Sequence, residues 1–524
     1  MPALAFQASL AHHSGSPYLP LEQLPMLCRR LPLLLAAALA ALPLLAIAQN
    51  AEPPKTDKPQ LDTSRGDAMI AEYFRRETAK IADACLADIQ TADDWNAKKD
   101  EYRRQLHEML GLDPLPEKTD LAATVTGKLD HPEFTVEKLH FQSRPGLYVT
   151  GNLYLPKASG GQLKASGGRQ PPDSPAANSN QGANAPRSPD SDAPRSPTDA
   201  LAERVDHTRY PAILYVCGHG NVKKDGVSYG SKSHYQHHGA WFARNGYVCL
   251  VIDTLQLGEI EGIHHGTYRY GMWWWLNRGY TPAGVEAWNC VRALDYLQSR
   301  PEVDGEKLGV TGRSGGGAYS WWIAAIDERI KCAVPVAGIT DLQNHVVDGC
   351  VEGHCDCMYM VNTYRWDYPQ VAALVAPRPL LISNTDSDGI FPLDGVVRVF
   401  DKARRIYTLL GKRDQIGLNI TSGGHKDTQE LQVTAMRWFN HHLRGYDGPV
   451  TNHAERFFQP EQLKVFGSLP EDEINTKIHE TFVAAAPPPK VPESKEEWEQ
   501  MREEWMKQLR EKCFRGWPEN PPAL

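Results

Sequence analysis

The stretch Gly312-Arg313-Ser314-Gly315-Gly316 decides the fold of this 524-residue chain. A strand-like run, Leu308–Thr311, leads into it, and a helical pattern, Gly317–Ala325, follows it. Glycines on both sides of the serine permit a tight turn in which larger side chains would clash, and the turn raises the serine hydroxyl above the sheet. The first amides of the following helix then point towards an oxyanion. The pattern predicts that Ser314 is a nucleophile.

Because a Gly-x-Ser-x-Gly pentapeptide also occurs by chance in glycine-rich turns, the surrounding pattern has to support this interpretation. Short apolar strands alternate with helices after residue 208, which predicts a mostly parallel sheet with helices on both faces. The predicted strands are Pro211–Val216, Tyr247–Ile252, Cys332–Val336, Pro379–Ser383 and Gly417–Thr421, and the predicted helices include His237–Asn245 and Pro282–Ser299. Helical spacing over 66–111 and alternation over 122–156 predict N-terminal helices followed by further strands.

These patterns divide the chain into four parts. The parts are a signal peptide (1–48), a lead with helices (49–120), an α/β catalytic domain (121–454) and a C-terminal extension (455–524). Residues 157–208 are dominated by Gly, Ser, Pro, Asn and Asp, which predicts a disordered insertion. A charged helix over 494–512 is expected to dock on the body of the protein, with binding to a partner as the alternative.

The N-terminal segment predicts export. Arg29-Arg30 precedes an apolar run over 31–47, and Ala46-Ile47-Ala48 matches a small-x-small cleavage site. A membrane anchor is the alternative, but the run is short and broken by two prolines. We therefore expect a soluble, periplasmic or secreted protein without stable membrane insertion. The net charge of -8 and the absence of a basic stripe argue against a nucleic-acid partner.

Ten cysteines are present, and an exported chain permits disulfides, although a large core can also hold plain buried thiols. One cluster, Cys350, His354, Cys355 and Cys357, has residue types that bind zinc. Its spacing matches no standard pair of ligand knuckles, so disulfides or buried thiols are favoured there. We predict no metal and no cofactor.

A serine nucleophile requires a histidine base and an acid that orients the histidine. In chain order after Ser314, Asp388 lies in a polar turn behind the strand at 379–383, and His425 follows the strand at 417–421 in a Gly-rich loop. Ordinary turn chemistry or a solvated loop would also suit these residues. Asp386 is the main rival to Asp388, and Asp341 is a third candidate.

Two backbone amides are expected to form the oxyanion hole. One belongs to Gly315, and the other belongs to the loop Cys217–Asn221, where small residues allow close approach to a substrate. Either Gly220 or Asn221 could supply the second amide, and we favour Asn221. His219 precedes the nucleophile in the chain, so we expect it to support the loop rather than act as the base.

The run Trp273-Trp274-Trp275 could stack on sugar rings, with Tyr268 and Tyr270 nearby. Packing over the core is an equally good interpretation, because large aromatic side chains contribute most where they are buried. Both alternatives remain open from the sequence.

Taken together, these motifs resemble those of α/β-hydrolases, and within them the acetylxylan esterase and dienelactone hydrolase-like group. The motifs are Val216–Asn221, Asp253–Glu259, Asp295–Leu297, Gly312–Gly317, Asp388–Pro392 and His425. The resemblance covers residues 135–445 and implies a serine carboxylesterase that removes acyl groups from polysaccharides. A serine peptidase or amidase of the same fold and a non-catalytic binding module are the alternatives.

Overall fold

The computed structural model describes residues 62–157, 209–220, 222–350 and 358–515. The predicted signal peptide, the insertion apart from Lys157, and residue Asn221 lie outside the described residues. Contacts divide the chain into two units, 1–67 and 68–524. Of the first unit, only residues 62–67 are described, and the fold below is that of the second.

The described residues form a nine-stranded sheet in the order β1-β2-β3-β7-β4-β8-β9-β10-β11, and a separate two-stranded ribbon, β5-β6. The strands are β1 Thr124–Asp130, β2 Phe134–Arg144, β3 Leu147–Pro156, β4 Tyr210–Val216, β5 Lys223–Lys224, β6 Val227–Ser228, β7 Val248–Ile252, β8 Val303–Arg313, β9 Ile330–Val336, β10 Leu380–Thr385 and β11 Ile416–Thr421. The pairs β1-β2, β2-β3 and β3-β7 are antiparallel, and all pairs from β7 to β11 are parallel. The mostly parallel sheet predicted from the sequence is confirmed.

The described residues also form helices. They are α1 Ser64–Ala84, α2 Ala92–Met109, α3 Ser231–His234, α4 Gln236–Arg244, α5 Gly266–Tyr270, α6 Trp274–Asn277, α7 Pro282–Ser299, α8 Gly315–Ile326, α9 Tyr368–Ala373, α10 Leu393–Leu409, α11 Gln429–Arg444, α12 Pro460–Leu463, α13 Ile478–Thr481 and α14 Lys495–Gln508. Short 3₁₀ or π turns lie at Gln343–Val347, Arg413–Gln415, Asn475–Lys477 and Leu509–Cys513.

The local sequence explains why these elements form where they do. All five residues of β7 are buried, as expected for a central strand covered on both faces. Thr281 caps α7 by accepting a hydrogen bond from Ala283 N, and Pro282 suits the first helical turn. A Cβ on Gly284 would lie 1.7 Å from the carbonyl oxygen of Leu110. Glycine in α7 therefore lets the N-terminal segment pack directly against the body of the fold.

Strand register brings the important loops to one edge of the sheet. Val216 pairs with Gly312, Arg313 with Val336, and Thr385 with Thr421. The carboxyl ends of β4, β8, β9, β10 and β11 consequently lie side by side. Ligands of open α/β sheets bind at this edge, so the loops that follow these strands should contain the functional site.

The C-terminal helix differs from the prediction. No residue of α14 is buried, and Trp498 and Trp505 are 43% and 42% exposed, in edge-to-face contact with each other. The expectation that this helix docks on the body is wrong for its aromatic face, because those side chains pack against each other. The C-terminal extension contacts the body of the protein after this helix, where Lys512 forms an ion pair with Glu108 of α2.

The cysteines of the described segments are free thiols, and five of them are buried: Cys85, Cys217, Cys249, Cys290 and Cys332. Of the predicted zinc-type cluster, only Cys350 is described, and it is a partly exposed free thiol. None of the helices in the described segments is long and apolar enough to cross a bilayer.

Candidate active site

Ser314 occupies the turn between β8 and α8. Its backbone has φ 60° and ψ −123°, a strained conformation for a residue with a side chain. The turn is held because Ser314 N donates a hydrogen bond to Val336 O at 2.9 Å. Ser314 is 9% exposed and directly precedes the first residue of α8. A strained serine between a strand and the N-terminus of a helix has the backbone geometry that the sequence predicted for this turn.

The glycines around Ser314 are required by close backbone contacts. A Cβ on Gly312 would lie 2.3 Å from the carbonyl oxygen of Val216, and a Cβ on Gly316 would lie 2.1 Å from the same oxygen. Real Cβ atoms do not approach an oxygen so closely. The close packing of β4, β8 and α8 therefore explains why the sequence has glycine on both sides of the turn.

His425 and Asp388 are brought into contact by the loops after β11 and β10. His425 Nδ1 lies 2.7 Å from Asp388 Oδ2, and Asp388 Oδ1 accepts hydrogen bonds from the amides of Ile390 and Phe391. Burial opposes ionisation of Asp388, but the hydrogen bond and charge of His425 outweigh it, and the pKa of the carboxyl is lowered. An ionised acid that holds Nδ1 leaves Nε2 of His425 for a reacting serine.

The two rival acids have other partners. Asp386 accepts a hydrogen bond from Gly423 N at 2.9 Å, so it supports the loop that carries His425. Asp341 is paired with Arg398, whose Nη2 donates to Asp341 Oδ1 at 3.1 Å. Among the three acidic candidates, Asp388 alone is shown in contact with His425.

Ser314 and His425 lie in loops at the same edge of the sheet, after β8 and β11. Within the described residues, no hydrogen bond joins the Ser314 hydroxyl to His425. In unliganded hydrolases this bond is often long and shortens when substrate binds. The catalytic roles of Ser314, Asp388 and His425 stay predictions that the geometry of the acid and base favours.

The predicted oxyanion hole is partly described. The Gly315 amide belongs to the first turn of α8, and a Cβ on Gly315 would lie 2.8 Å from His219 Nε2. His219 therefore lies against the nucleophile turn, as expected for a loop-supporting residue. Gly220 N is engaged in a hydrogen bond to Gly218 O at 2.9 Å, which makes it a poor second donor. Asn221 lies outside the described residues, so its role stays a prediction.

The tryptophan run separates into two environments. Trp273 is 60% exposed, whereas Trp275 is 2% exposed and lies against Gly266, where a Cβ would be 2.5 Å from its ring. The prediction of a substrate-binding role for Trp275 is therefore corrected, because its ring is part of the packed interior. The side chain of Trp274 lies outside the described residues.

An open cavity of about 620 Å³ is formed by residues 256–272, in the segment that follows β7. Gln256, His264, Arg269 and Tyr270 contribute to its walls. The His264 ring lies 5.0 Å from the ring of His219, the residue that lies against Gly315. Tyr270 is 66% exposed, so this cavity presents an aromatic ring and polar groups to a ligand, and the contact of His264 with His219 connects it to Gly315.

The structure adds one group that the sequence interpretation missed. His237 Nε2 and His238 Nε2 lie 3.1 Å and 2.8 Å from the same oxygen, Oδ2 of Asp427. Their three ligand-type atoms are also close enough together to hold a metal ion. The sequence shows that Asp427 lies two residues after His425, but nothing in it indicates that His237 and His238 on α4 are the partners of Asp427.

Comparisons with known proteins agree with this architecture. The model of the prolyl oligopeptidase family matches residues 233–444. YtaP of Bacillus subtilis (strain 168), which is named as a hydrolase, is 28% identical over 194 residues, covering 37% of this chain and 64% of YtaP. YuxL of the same organism, named as an uncharacterized peptidase, is 25% identical over 256 residues, covering 46% of this chain and 36% of YuxL. The chain thus spans less than two-thirds of either relative.

Solved structures include proteins that are similar over most of the chain. Methylesterase BT1017 superposes with a TM-score of 0.51 at 18% identity, covering 83% of this chain and 81% of BT1017. At that identity the similarity concerns the fold. The predicted fold class, a mostly parallel sheet with surrounding helices, is thereby confirmed.

Proposed function

We propose that this chain is an α/β-hydrolase and, more specifically, a serine carboxylesterase acting on esterified carbohydrates. The observation that carries the proposal is the contact of His425 Nδ1 with Asp388 Oδ2 at 2.7 Å, at the sheet edge where Ser314 adopts its strained turn. Such a pair orients a histidine base towards a nucleophile presented at the same edge.

The proposed reaction has two halves. Nε2 of His425 takes the proton of Ser314 as Oγ attacks the ester carbonyl, and the Gly315 amide stabilises the tetrahedral oxyanion together with the predicted Asn221 amide. The imidazolium returns the proton to the departing alcohol, which leaves an acyl-serine. Water, deprotonated by His425, then attacks the acyl carbon, and Ser314 leaves with the proton. Ionised Asp388 stabilises the imidazolium in both halves.

The carbohydrate part of the proposal is supported by the cavity at residues 256–272, which His264 and His219 connect to the turn of Ser314. Exposed Tyr270 lines it, and exposed Trp273 lies on the same segment three residues later. The apolar face of an aromatic ring can stack on the face of a sugar ring while the edge of the aromatic ring stays in contact with water. A periplasmic or secreted location, predicted from the N-terminal sequence, would place the enzyme with extracellular polysaccharide.

A peptidase or amidase is the second candidate, because the prolyl oligopeptidase family model matches residues 233–444. The same triad can cleave both bonds, so substrates must separate the two activities. Purified protein should be tested on acetylated and glucuronoylated polysaccharides and on a panel of peptide amides. Ser314→Ala should lower ester hydrolysis by at least about 10³-fold. Preferred cleavage of peptides would favour the second candidate.

The non-catalytic alternative has its own test. A fluorophosphonate reacts with serines that a neighbouring base activates, and a binding module would not react. Labelling of folded protein supports an enzyme. Lack of labelling, with intact ligand binding, would support a binding module.

A further inference from the structure

We propose that Asp427 is a positioning residue: its carboxylate clamps the loop of His425 to α4 through His237 and His238. The inference rests on the proposed function, because it assigns a role through His425. It goes beyond that function by naming three residues outside the triad on which the position of the base depends.

The loop at 422–428 has no regular secondary structure, so individual contacts must fix it. Its first half is held by the loop after β10. Ser387 N donates to Gly423 O at 3.0 Å, and Thr385 Oγ1 donates to Gly424 O at 3.0 Å. The same loop also contacts His425 itself, whose Nδ1 lies 2.7 Å from Asp388 Oδ2, so its contacts cover the loop up to residue 425.

The second half of the loop is held from α4. Oδ2 of Asp427 meets Nε2 of His238 at 2.8 Å and Nε2 of His237 at 3.1 Å. Thr428 follows at once as the cap of α11, where Leu431 N donates to its hydroxyl. His425 therefore lies between two anchored points, and Asp427 is the anchor nearest to it on the C-terminal side.

The clamp also connects the base to the strand of the oxyanion loop. The His238 ring stacks on the ring of Tyr215 with a centroid distance of 4.4 Å and an interplanar angle of 22°. Tyr215 belongs to β4, and the predicted oxyanion loop begins two residues later at Cys217. A series of contacts thus connects β4, through His238 and Asp427, to the loop that carries His425. The predicted oxyanion loop and the loop of His425 are therefore held by the same group of residues.

The protonation states of His237 and Asp427 suit a hydrogen bond from a neutral imidazole to a carboxylate. Burial lowers the pKa of His237 to about 4, and the neighbouring His238 acts in the same direction. Burial raises the pKa of Asp427, but the hydrogen bonds and electrostatic interactions with His238 and His237 lower it by more. The pKa of the carboxyl therefore lies far below its usual range. Of the neighbouring basic groups, Arg456 lies close enough to His237 to lower the pKa of its imidazole further.

The test compares Asp427→Ala and Asp427→Asn with a matched control, Asp447→Ala. Asp447 pairs with His441 at 2.6 Å near the end of α11, but on an exposed surface. A displaced base can cost on the order of 10²-fold, so Asp427→Ala should lower kcat on p-nitrophenyl acetate about 10- to 100-fold with little change in KM. Asp427→Asn, which keeps an acceptor oxygen, should retain more activity, and Asp447→Ala should match wild type.

A double-mutant cycle shows whether the effect passes through His425. In a His425→Ala background, adding Asp427→Ala should reduce the residual rate by less than about 2-fold, because residues that act as a unit are not additive. A full additional loss, or wild-type kcat in Asp427→Ala protein, would overturn the clamp. If His425→Ala itself is fully active, the proposed function fails rather than the clamp alone.

Metal analysis distinguishes the clamp from a metal site made by the same three residues. Chelator-treated wild type should retain its activity and melting temperature, and mass spectrometry should find no stoichiometric metal. A bound zinc ion that is lost in Asp427→Asn, together with activity, would overturn the hydrogen-bonded clamp.

Discussion

Oδ2 of Asp388 accepts the Nδ1 hydrogen of His425 at 2.7 Å, while its Oδ1 is occupied by two backbone amides. Because both oxygens of the carboxylate are engaged, its own orientation is fixed, and it holds the imidazole of His425 in one orientation. Asp388→Asn should therefore preserve the fold but lower kcat for ester hydrolysis by about 10³- to 10⁴-fold, since the amide favours the wrong tautomer of His425. Steady-state kinetics with p-nitrophenyl acetate checks this.

The control for this prediction is Asp386→Asn, two residues earlier in the same loop. Asp386 accepts the amide of Gly423 and has no contact with His425 among the described residues. Asn can still accept that hydrogen bond, so its kcat should stay within about 10-fold of wild type, as expected for a residue that only supports the loop. If Asp386→Asn loses more activity than Asp388→Asn, the acid has been assigned to the wrong residue.

Gly316 tests the packing of the nucleophile turn. Its Cβ position lies 2.1 Å from the carbonyl oxygen of Val216, so Gly316→Ala must displace α8 or β4. We expect the free energy of unfolding to fall by about 2 kcal/mol or more. Gly467→Ala, where no atom lies within 4 Å of the added Cβ, should change it by less than about 0.5 kcal/mol. Equal urea midpoints for the two variants would contradict the tight turn.

A buried acid away from the triad predicts a pH dependence of stability. Burial raises the pKa of Glu286 to about 8 from an ordinary 4.5, and its carboxyl accepts the amide of Leu255. Folded protein keeps this proton over a range in which unfolded protein has lost it. Stability therefore falls as pH rises from 4.5 towards 8, by up to about 1.4 kcal/mol per pH unit.

Glu286→Gln removes this titration. The free energy of unfolding, measured with urea at several pH values, should decline less between pH 5 and 8 in the variant than in wild type. The difference between the two declines should be on the order of a few kcal/mol. Parallel curves for the two proteins would show that Glu286 titrates normally and contradict its burial as a neutral acid.

Trp273 and Trp275 should behave oppositely although only two residues separate them. Trp273→Ala removes an exposed ring, so we expect KM for a polysaccharide ester to rise roughly 3- to 10-fold while hydrolysis of p-nitrophenyl acetate is unchanged. Trp275→Ala removes a buried ring and should lower the free energy of unfolding by about 3–5 kcal/mol. Unchanged polysaccharide kinetics in Trp273→Ala would remove Trp273 from the carbohydrate site.

The sequence predicted the sheet well because a local run of apolar residues marks each of its buried strands. Continuous apolar runs mark β4 and β7, and the helix over 282–299 was found with both of its ends correct, since Thr281 and Pro282 mark its start. The serine turn was predictable for the same reason, because its glycines are adjacent in the chain.

What the sequence could not supply are contacts between distant segments. Asp427 and His238 are 189 positions apart, and no periodicity connects them. The choice of Asp388 over Asp386 needed the direction of each side chain, which a turn sequence leaves open. The exposure of Trp273 and burial of Trp275 likewise depend on which neighbours pack around them.

The most direct test of the central claim is covalent labelling of Ser314. Folded wild-type protein should gain one fluorophosphonate adduct, located by peptide mass spectrometry at Ser314. The adduct should be absent from Ser314→Ala, form far more slowly in His425→Ala, and form normally in Ser320→Ala. Unlabelled wild type, or equal labelling of Ser314→Ala, would contradict the assignment of Ser314 as an activated nucleophile.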